Sequence, residues 1–305
     1  MEKRRLGDSD LLVSELGFGC MSLGTDEKHA LNMIDQAIEH GINYLDTADL
    51  YDQGLNEAFI GQALKGRREQ IILATKVGNR FEKGKEGWSW DPSKRYIKQA
   101  VKASLQRLQT DYIDLYQLHG GTIEDHIDET IEAFEELKKE GVIRYYGISS
   151  IRPNVIREYL KRSSIVSIMM QYSILDRRPE EWFSLIKEHR VSIVARGPLA
   201  KGLLTNRSLD SLGESTKQSG YLDYSYQELV NVREQLTSKI SKRSLNEMAL
   251  RYCLHDDAVA TVAAGASTVE QLEDNVEAID SPPLSKSEIE MIQATTKASR
   301  YEQHR

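Results

Sequence analysis

Gly41-Ile42-Asn43-Tyr44-Leu45-Asp46-Thr47-Ala48-Asp49-Leu50-Tyr51 is the stretch around which the chain is organised. Its first half predicts a short buried strand from Ile42 to Leu45, which leads directly to the carboxylate of Asp46. Tyr51 follows five residues after Asp46, in the loop that the strand enters. A carboxylate and a phenol at the end of one strand are a candidate acid/base pair.

A helix precedes this strand, and the same strand–helix unit repeats along the chain. From Glu27 to His40 apolar residues recur at helical spacing, and Gly41 ends the segment as a C-terminal cap. Short apolar segments predict strands at 16–20, 42–45, 71–75, 112–117, 143–148, 165–170, 191–195 and 259–263. Helices are predicted after them at 27–40, 54–65, 92–108, 126–140, 153–161, 179–189, 225–239 with 244–254, and 268–278.

Eight strands alternating with helices predict an α/β protein of the (β/α)₈ TIM-barrel class, with residues 1–305 forming one domain. The strands are apolar on both faces, as in a parallel sheet that helices cover. Residues 4–7 and 11–16 predict an N-terminal β-hairpin, and 285–297 an extra C-terminal helix. An open doubly wound sheet is the alternative, but no G-x-G-x-x-G motif follows the first strand.

Composition narrows the class of protein further. The chain has 305 residues, 40% of them hydrophobic, and a net charge of −7. This acidic balance argues against nucleic acid or an anionic membrane as a partner, because both bind concentrated basic surfaces. No apolar run is long enough to span a bilayer, and the basic N-terminus lacks the apolar segment of a signal peptide. We therefore expect a cytoplasmic protein, and the oligomeric state stays open.

Two further strand ends carry ionisable residues. Lys76 ends the third strand and His119 the fourth, as Asp46 ends the second. In a (β/α)₈ barrel the C-terminal ends of the strands converge on one mouth. Singly, each residue has a commoner structural explanation: a helix cap, a surface lysine, a hydrogen-bonded core histidine. Together with Tyr51, four ionisable types at one mouth favour a functional site.

These four side chains suit proton transfer to a carbonyl oxygen. A tyrosine phenol, with an ordinary pKa of ~10, is a poor acid at neutral pH. We expect the ammonium of Lys76 to lower the pKa of Tyr51, while Asp46 holds Lys76 charged. A neutral His119 would hydrogen-bond the same substrate oxygen. Tyr51 is then the general acid of a carbonyl reduction, for which a cofactor must supply the hydride.

At these residues the sequence resembles the aldo-keto reductase family over nearly its full length. The resemblance is carried by the stretch from Gly41 to Tyr51, by Thr75-Lys76, and by Asp111-Tyr-Ile-Asp-Leu-Tyr-Gln-Leu-His119, which follow in the family's order. It implies a bacterial oxidoreductase that reduces aldehydes or ketones to alcohols with NADP(H), NAD(H) being the alternative cofactor. The implied catalytic tetrad is Asp46, Tyr51, Lys76 and His119.

The resemblance also implies which residues contact the cofactor. Ser149, Ser150 and Gln171 match positions that hold the nicotinamide amide. Arg196 replaces a stacking aromatic ring; its guanidinium can stack likewise or bind the pyrophosphate. The loop 197–202 matches the pyrophosphate-binding segment, through backbone N–H groups and Lys201. The full predicted set is Gly19, Cys20, Met21, Asp46, Ser149, Ser150, Gln171, Arg196, Gly197, Pro198, Leu199, Lys201, Gly202, Gly265, Ser267, Thr268, Gln271 and Asn275.

The adenosine end of this set lies at Gly265 and the residues after it. Ser267 and Thr268 precede the eighth helix, whose N-terminus favours a phosphate group. The alternative is that Ser267 only caps this helix. Many family members place an arginine or lysine here for the 2′-phosphate, but residues 266–268 contain none. The preference for NADP(H) is therefore an expectation from the family.

Aromatic residues around the four mouth residues predict the substrate pocket. Its expected lining is Met21, Tyr51, Trp88, Trp90 and His119. Aromatic walls suit a carbonyl compound with an apolar body. The alternative for Trp88 and Trp90 is that they only pin the long loop 77–91.

Two other functions compete with carbonyl reduction. The first is a cofactor-binding regulatory or redox-sensing subunit with slow turnover, which the family also contains. The second is a metal-dependent hydrolase, which needs several His, Asp or Glu ligands at strand ends. Lys76 would repel a divalent cation there, and Cys20 and Cys253 stand in no zinc-like spacing. We therefore expect no metal.

Overall fold

A closed barrel of eight parallel strands forms the centre of the protein, in a computed structural model that describes residues 1–209 and 214–305. The strands are β1 (Lys3–Arg5), β2 (Leu12–Ser14), β3 (Leu16–Gly19), β4 (Tyr44–Asp46), β5 (Ile72–Val77), β6 (Asn79–Arg80), β7 (Ser89–Trp90), β8 (Ile113–Leu118), β9 (Ile143–Ser149), β10 (Ser167–Gln171), β11 (Ser192–Arg196) and β12 (Val259–Ala264). The barrel closes in the order β3, β4, β5, β8, β9, β10, β11, β12. The predicted (β/α)₈ TIM barrel is confirmed.

Helices cover the outside of the barrel. They are α1 (Glu27–Glu39), α2 (Leu55–Ala63), α3 (Lys94–Leu108), α4 (Ile127–Lys139), α5 (Pro153–Arg162), α6 (Phe183–Glu188), α7 (Glu214–Ser219), α8 (Tyr226–Lys239), α9 (Leu245–Cys253), α10 (Val269–Asp280) and α11 (Lys286–Thr295). Ser225, Ser244 and Ser285 begin three of them with capping boxes, each completed by a glutamate at N3. The extra C-terminal helix α11 packs on α8.

The hairpin β1–β2 closes the end of the barrel where the strands begin. Its apolar residues Leu6, Leu11 and Val13 are at most 2% exposed. They form one cluster with barrel-interior residues that include Tyr44 and Val166. Burial of these side chains is favourable by roughly 1.5–3 kcal/mol each, so the hairpin acts as a hydrophobic plug.

Gly7 allows the hairpin turn to press against the barrel. Its φ is +54°, and a Cβ at this position would lie 2.2 Å from the carbonyl oxygen of Val166. Its N–H donates to Ser192 Oγ at the start of β11, over 2.9 Å. Glycine is required here by both the backbone conformation and the close approach.

The structure differs from the sequence-based prediction mainly in the connections. The long loop 77–91 contains the small antiparallel pair β6–β7, whose strands are too short to give a periodic signal. The helix predicted at 179–189 begins as a 3₁₀-helix, Arg178–Trp182, with Pro179 near its start. Strand β4 extends one residue further than predicted and includes Asp46, which places this carboxylate inside the ladder.

Candidate active site

The strand register brings the predicted catalytic residues to one mouth. Asp46 is the last residue of β4, Lys76 lies one residue before the end of β5, and His119 directly follows β8. In the parallel ladder, Asp46 is level with Ala74 of β5, and Lys76 is level with Gln117 of β8. The three side chains therefore converge at the C-terminal end of the barrel.

The ammonium of Lys76 is the centre of this group. Its Nζ donates to Asp46 Oδ2 over 2.6 Å, to the backbone oxygen of Thr47 over 2.7 Å, and to Tyr51 Oη over 3.3 Å. An ammonium has three N–H donors, and all three are used. Because the phenolic oxygen of Tyr51 accepts from Lys76, its own O–H is left to donate elsewhere. The geometry thus directs the phenol proton toward an acceptor other than Lys76.

Burial and neighbouring charges together set the pKa values of Lys76, Asp46 and Tyr51. Burial alone would lower the pKa of Lys76, but the Asp46 charge and the contact with Tyr51 outweigh it, and the pKa is raised. Burial raises the pKa of Asp46, an effect that Lys76 opposes. Burial also raises the pKa of Tyr51, and the attraction of Lys76 only partly offsets this rise. Lys76 therefore lowers the pKa of Tyr51 in the expected direction, but burial outweighs it, and the net pKa lies above its ordinary value.

His119 stands opposite the phenol as a neutral ring. The rings of Tyr51 and His119 meet edge to face, with centroids 6.1 Å apart. Burial, reinforced by the charges of Lys76 and Arg196, lowers the pKa of His119 to about 3. Its buried Nδ1 has no hydrogen-bond partner among the described residues. At neutral pH this imidazole is uncharged and can hydrogen-bond a ligand.

A strained turn fixes the position of Tyr51. The next residues, Asp52 and Gln53, have φ values of 48° and 54°, and Gly54 has a φ of 88°. Non-glycine residues in this left-handed region are uncommon and cost of order 1–3 kcal/mol each. Gln53 also ties the turn to the long loop 77–91, because its Oε1 accepts from Gly84 N over 2.8 Å.

Asp49 is buried behind the four mouth residues and does not line the adjoining cleft. It is 1% exposed, and its Oδ1 has no partner among the described residues. Burial, with a contribution from the Glu57 charge, raises its pKa to about 8, although Arg107 opposes this shift. Asp49 is therefore largely protonated at neutral pH, and the geometry gives it no direct contact with a ligand.

A large cavity, here called the main cleft, opens beside the four mouth residues. Its volume is about 1020 Å³. It is lined by most of the predicted cofactor and substrate residues: Gly19, Met21, Asp46, Tyr51, Lys76, Trp88, His119, Ser149, Gln171, Arg196, Gly197, Pro198, Leu199, Lys201, Gly202, Gly265, Ser267 and Gln271.

Four residues predicted to bind the cofactor, Cys20, Ser150, Thr268 and Asn275, lie outside this lining. Ser150 lines a second, smaller cavity instead, and its Oγ accepts from the N–H of Arg152 over 3.3 Å. Cys20 is fully buried, and its thiol donates to the backbone oxygen of Phe18. Thr268 caps α10, accepting from the N–H of Gln271, so the cap is Thr268 and not Ser267. The Oδ1 of Asn275 accepts from Asn246 Nδ2 over 3.2 Å. The polar groups of these residues already form hydrogen bonds within the protein, and a motif comparison does not reveal such contacts.

Gln171 and Arg196, which are level in the β10–β11 ladder, form one polar unit. Arg196 Nη1 donates to Gln171 Oε1 over 3.1 Å, and Gln171 Nε2 donates to Asp176 Oδ2 over 2.9 Å. The carboxamide of Gln171 is thus already paired. Arg196 has no ion pair with a carboxylate in the described part of the chain.

The main cleft also contains residues that the sequence analysis did not identify. These are Ser22, Leu50, Asn79, Met169, Ala200, Thr205, Asn206, Arg207, Tyr221, Asn246, Ala263, Ala266 and Asp274. Most lie in irregular segments or on helices, and no strand-end pattern points to them. Thr205, Asn206 and Arg207 could have been found from their position in the long segment 197–224, because loops of this length are often functional.

A second cavity, the side chamber, lies beyond His119. Its volume is about 380 Å³, and its walls include Trp88, Trp90, Ser150 and Arg152. Trp88 is 58% exposed and lines both cavities. Trp90 donates from Nε1 to Asp125 Oδ1 over 2.9 Å. Trp90 therefore pins its loop and also forms part of the chamber wall.

No group of three or more His, Cys, Asp or Glu side chains in residues 1–209 and 214–305 is arranged to hold a metal ion. Among the helices of the same residues, none has the length and apolar character needed to cross a bilayer.

Comparisons with known proteins identify the family of the chain. The model of the aldo/keto reductase family matches residues 15–297. A Bacillus subtilis (strain 168) protein named uncharacterized oxidoreductase YqkF is 63% identical over 305 residues, covering 100% of both chains. The NADH-specific methylglyoxal reductase of Escherichia coli (strain K12) is 31% identical over 306 residues, covering 92% of this chain and 94% of its own.

A solved structure shares the whole architecture. The aldo-keto reductase AKR11C1 from Bacillus halodurans, in its holo form, superposes with a TM-score of 0.95 at 70% identity. The match covers 100% of this chain and 99% of that one. The resemblance inferred from the mouth motifs is confirmed, and the chain is an oxidoreductase-type enzyme.

Proposed function

The chain belongs to the aldo/keto reductase family, and from this premise we propose that it reduces aldehydes or ketones to alcohols with NADP(H) as cofactor. One observation carries the proposal. The Lys76 ammonium bridges Asp46 and Tyr51 and uses all its donors, which leaves the phenol O–H free to act as an acid.

Each of the four mouth residues has a distinct role in this proposal. Tyr51 donates its proton to the carbonyl oxygen as negative charge develops there. Lys76 stabilises the phenolate that remains, and Asp46 keeps Lys76 charged and in place. His119, neutral and with an unpaired ring nitrogen, orients the same carbonyl oxygen. The bound nicotinamide nucleotide would supply the hydride.

The residues of the main cleft fit a dinucleotide. Arg196 and Lys201 line it without an ion pair to a carboxylate in the described residues, as expected of cations that meet a pyrophosphate. Near the other end, the buried Oδ1 of Asn246 lacks a partner and can accept a hydrogen bond from a ligand. The loop of Gly197 and Gly202 has left-handed backbone at both glycines, which suits close contact with phosphate.

The preference for NADP(H) rests on the family and on the cations of the main cleft. Residues 266–268 supply none, but Lys201 and Arg207 line the same cavity. The Escherichia coli relative is named as NADH-specific, so a relative at 31% identity has the opposite preference. Dissociation constants for NADPH and NADH measured on the same preparation test this point, and equal values would contradict the proposed preference.

The reaction class is tested with a panel of aldehydes, ketones and dicarbonyls. Absorbance of the reduced cofactor reports turnover, and carbonyl-dependent oxidation that persists in the presence of a chelator is the expected result. Tight cofactor binding with no turnover of any carbonyl would contradict the proposal and favour the slow regulatory subunit. The substrate is a small molecule in either case, because the family acts on small molecules.

We also propose a cytoplasmic location. Both cysteines, Cys20 and Cys253, are buried free thiols. Proteins of oxidising compartments commonly carry disulfides, and this chain has none. Fractionation of the native organism, with detection of the protein outside the cytoplasm as the contradicting result, tests this point.

A further inference from the structure

The side chamber has a marked imbalance of charge. Two arginines, Arg152 and Arg196, stand in its wall, and none of its described lining residues is acidic. Elsewhere in the described chain, the buried carboxylate of Asp114 pairs with Arg68 over 2.7 Å. A cavity wall with cations and no carboxylate has a positive potential that attracts anions.

Of these two arginines, Arg152 lines only the side chamber, whereas Arg196 also lines the main cleft. It is half-buried, and its Nη1 donates to the backbone oxygen of Gly121 over 2.6 Å. No carboxylate forms an ion pair with it in the described part of the chain. The hydrogen bond to Gly121 holds the side chain against the chamber wall, and among the described residues the guanidinium has no acceptor other than Gly121. Arg152 is also the N-cap of α5, where the helix dipole adds positive potential.

The chamber is placed to receive the body of a substrate. His119 lines both the main cleft and the side chamber. When Tyr51 and His119 hold the carbonyl oxygen of a substrate, the carbon chain of that substrate can therefore reach the side chamber. Trp88, Trp90 and Ile151 offer apolar surface along that path, with Arg152 in the same wall.

We propose that Arg152 is a specificity-determining residue that binds the carboxylate of an aldehyde or ketone acid. The inference rests on the proposed carbonyl reductase function and names its substrate class. A single guanidinium without an ion pair matches a single negative charge and can bind it through two parallel hydrogen bonds. The carbon chain between carbonyl and carboxylate then lies along the aromatic wall.

The test uses two substrates that differ only in the carboxylate, 4-oxobutanoate and butanal. For the unaltered protein the kcat/KM for 4-oxobutanoate is expected to exceed that for butanal. Arg152→Gln should lower the ratio of the two values by about ten- to a hundredfold, as for the loss of one hydrogen bond to a charged group. Arg152→Lys should recover part of the ratio, because the charge returns without the planar fork.

Arg5→Gln is the matched control, since Arg5 is exposed in β1 at the opposite end of the barrel. It removes the same charge and should leave the ratio unchanged. Cofactor affinity and the midpoint of thermal unfolding report whether Arg152→Gln remains folded. Efficient reduction of butanal with no preference for 4-oxobutanoate would overturn this inference and leave the proposed function standing. Failure to reduce either aldehyde, with cofactor bound, would overturn both.

Discussion

The two ends of the barrel differ in how completely their buried polar groups are paired. At the closed end, Glu15 accepts from Arg4 over 2.7 Å and from Arg251 over 3.0 Å. Asp114, also at this end, pairs with two arginines. At the mouth, Asp49 keeps an unpaired oxygen and His119 an unpaired nitrogen.

This difference shows at which end of the barrel unpaired polar atoms reduce the stability of the fold. A buried polar atom without a partner costs roughly 1–3 kcal/mol, so such atoms are rare where only folding matters. At the closed end, which the hairpin plugs, Glu15 and Asp114 are paired within the protein. At the mouth, His119 lines the main cleft, where a ligand can complete its hydrogen bonding, and TIM barrels generally place their active sites at this face.

The largest expected effect is a loss of turnover, caused by a substitution at the mouth. Tyr51→Phe removes the proposed acid and should lower kcat about 10²- to 10⁴-fold, the usual contribution of a general acid. Cofactor affinity should persist, because the phenol lies at the carbonyl end of the cleft. Steady-state kinetics with an aldehyde, together with a cofactor titration, measure both quantities.

Tyr44→Phe is the matched control for this change. Tyr44 is fully buried in β4, and its hydroxyl has no partner among the described residues. The same atom is removed, yet kcat should stay close to that of the unaltered protein. Substantial aldehyde reduction by Tyr51→Phe would contradict the assignment of the acid.

The second effect is a loss of stability, caused by a substitution at the closed end. Leu11→Ala leaves a cavity in the hairpin plug and should lower the free energy of unfolding by about 2–5 kcal/mol. Turnover at a temperature where the variant is folded should not change, since the plug lies at the opposite end from the mouth. Denaturant unfolding and kcat are the two measurements.

The neighbouring Leu12 provides the control for Leu11. It is 50% exposed, whereas Leu11 is 2% exposed. Leu12→Ala should therefore change stability by less than about 1 kcal/mol. Equal losses for both variants would show that the hairpin does not plug the barrel as described.

The smallest expected effect concerns Asp49 and tests the difference in pairing between the two ends of the barrel. Its pKa of about 8 in the folded state exceeds the ordinary unfolded value. The folded state thus binds more protons than the unfolded state between pH ~4 and 8, and stability falls as pH rises through this range. Asp49→Asn mimics the protonated acid and should be more stable than the unaltered protein at pH 8. Each kcal/mol of this gain corresponds to a few degrees of thermal midpoint.

Asp114→Asn is the counterpart at the closed end. Because Asp114 is paired, its substitution should destabilise the protein at pH 5 and at pH 8 alike. Thermal midpoints at both pH values compare the two variants. A loss of stability at pH 8 for Asp49→Asn would mean that this carboxylate is ionised and usefully paired.

Much of the fold could be predicted from the sequence because each strand and helix is a local pattern. Asp46, Lys76 and His119 were found by their places at strand ends, which fix their side of the barrel. The lowering influence of Lys76 on the pKa of Tyr51 was predicted, but the net rise was not, because it depends on how deeply the phenol is buried. Cys20, Thr268 and Asn275 were assigned by motif, and only the structure showed that their polar groups face the fold.

The sequence by itself determined the barrel, its mouth and the chemical types gathered there. Periodicity and chain order suffice for this, because parallel strands must end at one edge. Only the tertiary structure decided that Lys76 uses its three donors on Asp46, Thr47 and Tyr51. It also decided which cations stay unpaired, Arg152 among them, since pairing depends on contacts between residues far apart in the chain. Such contacts fix burial and charge balance, the two quantities that set the chemistry of this mouth.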